Sequence, residues 1–175
     1  MILSAQCTDA RVNTITPLLF PKDRACTPQD ILELGEDRVR KIIFPTGYFN
    51  SKTKAILGCA AALLGKEVPS SLEELTALPG VGNKTAQVVQ SQWFKIPAFP
   101  VDTHIQRVTN RLGLANSGTN VAKTERQIKA QVPKEAWIDF HLQVIFHGRK
   151  TCTAHKPQCK SCPLEQLCKY PSKNL

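Results

Sequence analysis

Leu78-Pro79-Gly80-Val81-Gly82-Asn83-Lys84-Thr85-Ala86 is the densest signal in the chain. One helix ends, a tight Pro-Gly-x-Gly turn follows, and a second helix begins at once. Gly80 and Gly82 permit positive φ and remove side chains that would block close approach. The turn and the start of the new helix leave backbone N–H groups without intrahelical partners, and such groups suit a phosphate. This pattern is a helix-hairpin-helix, which grips a DNA backbone without reading its sequence. An ordinary turn between helices is the competing reading, and the full pattern is rarer than that.

Outward from the hairpin, the apolar spacing is helical almost throughout and no convincing strand is found, so the chain reads as all-α. Asp9 opens a helix that Pro17 is expected to kink or end. Thr27-Pro28 is an N-cap followed by an N1 proline for a helix stopping at Gly35, with another over Asp37 to Ile43. Asn50 is expected to cap a helix running to about Leu64, and Ser71 to Glu74 is a capping box. Further helices are expected over 83–93, 103–112, 121–131 and 134–147, the last closed by Gly148. Lys95 to Pro100 carries two prolines and is the expected linker, which divides the chain into 1–96 and 97–175.

Composition narrows the partners. The 175 residues carry 23 Lys+Arg against 14 Asp+Glu, a formal charge of +9, which favours a polyanion. Between Arg149 and Leu175 stand six basic residues and one acid, Glu165. No apolar run of membrane-spanning length and no signal peptide is found, so no membrane partner is expected. Seven cysteines in a chain of this kind argue against a disulfide framework.

Lys84 falls in the first turn of the helix after the hairpin. A cation there meets the positive end of the helix dipole, an unfavourable place for a structural lysine and a useful one for an amine nucleophile. A plain phosphate contact is the other reading. Asp102, in Val101-Asp102-Thr103-His104-Ile105, is a natural N-cap. Apolar residues ahead of it suggest placement at a cleft wall, where a carboxylate orients the amine, takes a proton, or stabilises positive charge at sugar C1′. Thr103 and His104 are further caps or phosphate contacts.

Cys152, Cys159, Cys162 and Cys168 have the spacing C-x6-C-x2-C-x5-C. Zinc and a [4Fe–4S] cluster both accept four thiolates, so the spacing leaves the two open. Lys156 and Lys160 stand inside this loop and would present charge to a DNA backbone. Cys7, Cys26 and Cys59 share no spacing and read as free, packed thiols.

Together these residues resemble the endonuclease III family, within the helix-hairpin-helix glycosylase superfamily. The resemblance covers nearly the whole chain. It is carried by Leu3 to Gln6, Asn50 to Lys52, Leu78 to Ala86, Val101 to Ile105, His147 to Arg149 and the cysteine spacing. It implies two helical lobes, a helical barrel with the hairpin and an iron–sulfur cluster lobe, with the active-site cleft between them. It further implies one [4Fe–4S] cluster on the four cysteines, Lys84 as catalytic lysine and Asp102 as catalytic aspartate. Gln6 matches the residue that fills the space left by a flipped-out base. Tyr48 stands where the family often has an aliphatic wedge. The remaining DNA contacts are expected at Gly80, Val81, Gly82, Thr103, His104, Lys156 and Lys160. The implied activity is that of a base-excision N-glycosylase with abasic-site lyase activity, acting on oxidised pyrimidines and abasic sites in duplex DNA. The expected protein is a monomer, cytoplasmic and nucleoid-associated if bacterial. A monofunctional adenine glycosylase and a non-catalytic DNA-binding module are the alternatives; Lys84 and the short tail after Tyr170 speak against the first. Family members carry more residues ahead of the Leu-Ser-Ala-Gln segment, so this chain is expected to be N-terminally shortened, with part of a barrel helix missing.

Overall fold

A computed structural model of the chain describes residues 1–20 and 23–174. Among the described residues every regular element is a helix, as the periodicity requires. The chain forms two compact units, Met1–Ala86 and Gln87–Leu175.

The first unit begins with a 3-10 turn, Ile2–Ser4, followed by α1 (Asp9–Leu19). Pro17 does not stop α1, which continues to Leu19; Thr8 caps its start by accepting from the Arg11 amide. α2 (Pro28–Ile43) is opened by Thr27 and Asp30 as a reciprocal capping box. It is broken at Gly35, whose φ of 73° and ψ of 165° are not helical, so the two expected helices are joined across a kink. A second 3-10 turn, Phe44–Thr46, leads to α3 (Phe49–Leu63). Asn50 is not the cap of α3. Tyr48 holds that place, in left-handed conformation and with no side-chain cap bond, because the chain reaches the helix directly from a glycine at positive φ, Gly47. α4 (Leu72–Ala77) is capped by Ser71, whose hydroxyl accepts from the Glu74 amide and donates to the Glu74 carboxylate. α2 and α3 pack against each other more extensively than any other pair of helices. Leu3, Ile15, Leu19, Val39 and Ile43 form the core of this unit. Each such side chain withdrawn from water is worth roughly 1.5–3 kcal/mol.

The unit boundary falls inside α5 (Asn83–Gln92). Residues 95–102 have no regular structure, as two prolines dictate, but they are not an exposed linker. Ala98, Phe99, Pro100 and Val101 are buried, and Phe99 stacks on Phe140 inside the second core. α6 (Thr103–Leu112) buries Ile105, Val108 and Thr109, at the three- and four-residue spacing of one face, and ends at Gly113 in left-handed conformation. α7 (Val121–Lys129) is capped by Asn120. A 3-10 turn, Lys134–Ala136, precedes α8 (Trp137–Lys150).

Gly148 does not close α8. It is buried within the helix, where an added Cβ would stand 3.0 Å from Val108 Cγ2 and 3.3 Å from His104 Cβ. Its missing side chain is what lets α8 cross α6 closely, and the packing of those two helices dominates the second unit.

Candidate functional site

The hairpin is built as its glycines suggest, with one difference. Val81 N–H donates to Leu78 O at 3.1 Å, and the first bond of α5 runs from Ala86 N–H to Gly82 O at 3.0 Å. The amides of Lys84 and Thr85 therefore lie ahead of the first intrahelical bond. Gly80 has φ +74°, and a Cβ there would lie under 3.0 Å from Ala55 Cβ on α3. Gly82 has no positive φ, and nothing lies within 4 Å of where its Cβ would stand. Gly80 thus serves the packing of the chain itself, whereas Gly82 leaves an open face. Lys84 is the second residue of α5 and its side chain is exposed.

Gln6 and Tyr48 come together with Gly80. All three line one depression, with Ser51 and Lys52 among its other walls. Gln6 and Tyr48 are exposed and both have left-handed backbone, φ 51° and 49°. Sequence reasoning gives no role to Lys52, although it lies in a segment that carries the family resemblance. The structure buries Lys52, and its ammonium donates to Leu3 O at 3.0 Å and to Thr46 O at 2.9 Å. Burial pushes its pKa down.

Asp102 belongs to the second unit. It caps α6, with Oδ1 accepting from the amides of His104 and Ile105 at 2.8 Å each. Thr103 is exposed at the first helical position, and the half-buried His104 turns its Nδ1 to Arg107 Nη2 at 3.2 Å.

The four cysteines at 152, 159, 162 and 168 line one cavity, together with Arg111, His147 and Tyr170. None is in a disulfide. Two arginines one helical turn apart on α6 hold the start of the loop. Arg107 donates to the carbonyls of Gly148 and Cys152, at 2.9 and 3.1 Å. Arg111 donates to Thr153 O at 2.7 Å, Ala154 O at 2.9 Å and Cys152 Sγ at 3.5 Å, with its guanidinium over the Tyr170 ring. Their i, i+4 spacing is the available signal, but nothing local says that this face meets a loop so far along the chain. Cys168 Sγ donates to Arg111 O at 3.5 Å, and His147 Nε2 lies 3.8 Å from Cys162 Sγ. At the far end Lys173 bonds both the backbone and the carboxylate of Glu165. Among the described residues no three His, Cys, Asp or Glu side chains are gathered tightly enough for one metal ion. Lys156 and Lys160 are exposed on this loop.

Helix-hairpin-helix, capped aspartate and cysteine loop point to one class of protein. The model of the HhH-GPD superfamily of base excision DNA repair proteins matches residues 1–134. The endonuclease III of Haemophilus influenzae (strain Rd) is 48% identical over 176 aligned residues, covering 99% of this chain and 82% of the relative. That of Escherichia coli (strain K12) is 46% identical with the same coverage. A solved structure described as a trapped endonuclease III–DNA covalent intermediate, an estranged-adenine complex, superposes with TM-score 0.88 at 44% identity, over 96% of this chain and 79% of that one. The chain belongs to the endonuclease III family within the HhH-GPD superfamily.

Proposed function

We propose that the chain is a base-excision repair DNA glycosylase with abasic-site lyase activity, and that Lys84 is its nucleophile. The observation that carries this is the exposed amine of Lys84 in the first turn of α5, directly after a turn whose amides and open Gly82 face suit a phosphate. The relative trapped covalently on DNA supports the same chemistry. The target nucleotide leaves the duplex, at a cost of a few kcal/mol that is smaller for damaged bases. The neutral Lys84 amine attacks C1′ and the base departs with the glycosidic electron pair and one amine proton. The C1′–O4′ bond then opens, O4′ taking a proton from solvent, to leave a protonated Schiff base, and loss of a C2′ proton expels the 3′ phosphate by β-elimination. Asp102 supplies the carboxylate that orients the amine or stabilises positive charge at C1′. Gln6, Tyr48, Gly80, Val81, Gly82, Thr103, His104, Lys156 and Lys160 contact the duplex, and oxidised pyrimidines are the substrates. In this reading 1–96 forms the barrel lobe and 97–175 the cluster lobe of a cytoplasmic enzyme.

Cys152, Cys159, Cys162 and Cys168 would hold one [4Fe–4S] cluster. A single zinc needs four sulfurs at about 2.3 Å from one point, whereas thiolates spread around a cavity suit four separate irons. The cluster supplies a cross-link that fixes the loop bearing Lys156 and Lys160. Near-stoichiometric iron and acid-labile sulfide in anaerobically purified protein are expected; one zinc and no iron would refute the assignment.

Borohydride reduction on a duplex with a single abasic site tests the nucleophile. A covalent complex is expected with the parent chain and none with Lys84→Ala. Undiminished trapping by that variant would falsify the role of Lys84.

A further inference from the structure

Lys52 is 5% exposed, yet among the described residues its ammonium meets no carboxylate. A buried cation satisfied only by carbonyls is a costly way to fill a helix face; an apolar side chain of similar length would do so without desolvating a charge. What the ammonium does instead is join two places far apart in sequence. Leu3 O lies in the 3-10 turn that leads to Gln6, and Thr46 O closes the 3-10 turn that leads through Gly47 to Tyr48. Gln6 and Tyr48 are the two non-glycine residues described at positive φ in the first unit. L-residues adopt that conformation only where their surroundings over-determine it. Both side chains border the depression that Lys52 also lines.

We propose that Lys52 is a positioning residue of the DNA-binding surface. By holding Leu3 O and Thr46 O on one ammonium, it fixes the two left-handed turns so that Gln6 and Tyr48 meet the same stretch of duplex together. The proposal rests on the reading of Gln6 and Tyr48 as DNA contacts.

A double-mutant cycle separates positioning from general support of the fold. The parent chain, Lys52→Met, Gln6→Ala/Tyr48→Ala and the triple variant are assayed for kcat/KM on a duplex carrying one thymine glycol. Thermal melts establish that each is folded at the assay temperature. Misplacement of such contacts by about an ångström is worth up to ~100-fold, so a loss of at least ~10-fold is expected for Lys52→Met in the parent. In the Gln6→Ala/Tyr48→Ala background the same change is expected to cost less than about twofold, because the groups it positions are gone. Equal fold-losses in both backgrounds would overturn the proposal and leave Lys52 as scaffold. Full activity of Lys52→Met in the parent would overturn it as well. Full activity of Gln6→Ala/Tyr48→Ala would instead sink the reading of those two residues, and the proposal with it. If Lys52→Met is unfolded, the cycle is run with Lys52→Gln, which is too short to span both carbonyls, under the same criteria.

Discussion

Gly80→Ala and Gly82→Ala, substitutions at neighbouring glycines of one turn, are expected to fail in different ways. At Gly80 the backbone has φ +74°, and the new methyl would lie under 3.0 Å from Ala55 Cβ. A left-handed L-residue costs roughly 1–2 kcal/mol. Forcing a methyl into an occupied site costs about 1–3 kcal/mol more, because Ala55 Cβ is fixed to the backbone of α3 and cannot swing away. The sum, roughly 2–5 kcal/mol, is a large share of a typical stability of about 5–15 kcal/mol. For a chain of this size it corresponds to a fall in Tm of roughly 4–20 °C. At Gly82 there is open space and an ordinary φ. Gly82→Ala is therefore expected to lose no more than about 1 kcal/mol, the cost of alanine at an N-cap. Its methyl would stand on the open face of the hairpin, so affinity for duplex DNA is expected to fall at least about tenfold, about 1.4 kcal/mol. Thermal melts and fluorescence-anisotropy titrations with an abasic-site duplex read the two effects separately. If Gly80→Ala melts like the parent, the steric argument is wrong. If Gly82→Ala binds DNA like the parent, the open face is not where the phosphate lies.

Asp102→Asn keeps an oxygen for the amides of His104 and Ile105, so α6, the melting temperature and DNA affinity are expected to hold while base release slows by orders of magnitude. Parent-like single-turnover excision by this variant would remove Asp102 from the chemistry. Lys156→Ala with Lys160→Ala is expected to flatten the log–log dependence of binding on salt by about 0.9 for each phosphate left unneutralised. An unchanged slope would place both lysines away from DNA. The Arg24 guanidinium, and then the amide and hydroxyl of Thr27, hold the Asp30 carboxyl well below the usual carboxylate range. A depressed folded-state pKa contributes stability that is present above the unfolded value, about 4, and is lost as pH falls toward the folded one. Urea midpoints are therefore expected to drop below about pH 4, less steeply in Asp30→Asn; parallel profiles would rule this capping box out as a source of acid sensitivity.

What can be read from the sequence is what short-range chemistry dictates. Thr27, Ser71 and Asp102 are caps whose oxygens face amides two or three residues on, and that geometry is local. The hairpin and the cysteine spacing are legible for the same reason. The start of α3 is misplaced at Asn50 by sequence reasoning because a left-handed Tyr48 has no sequence signature; Gly47 and the turn before it impose that conformation. Phe99 reads as linker in the sequence because its flanking prolines announce the absence of helix but say nothing about burial. Lys52, Arg107 and Arg111 give no local sign of their roles, since each acts on carbonyls far away in the chain.

Gly148 bears on how sequence variants of this protein are to be interpreted. It has no side chain to ionise or to bind a ligand and stands one turn ahead of Cys152, so a search for reacting groups would skip it. Yet the Cβ of an alanine there would stand 3.0 Å from Val108 Cγ2 and 3.3 Å from Arg107 Nη2 and His104 Cβ, so these neighbours, all on the helix that carries Asp102 at its N-terminus, must give by a few tenths of an ångström, and a larger side chain needs more. A single missense change at that codon would disturb the carboxylate and the first cysteine together while leaving both chemically intact. In a genetic screen scored by loss of repair, alleles at position 148 will therefore group with those at Asp102 and Cys152, and only the protein's melting curve will tell them apart.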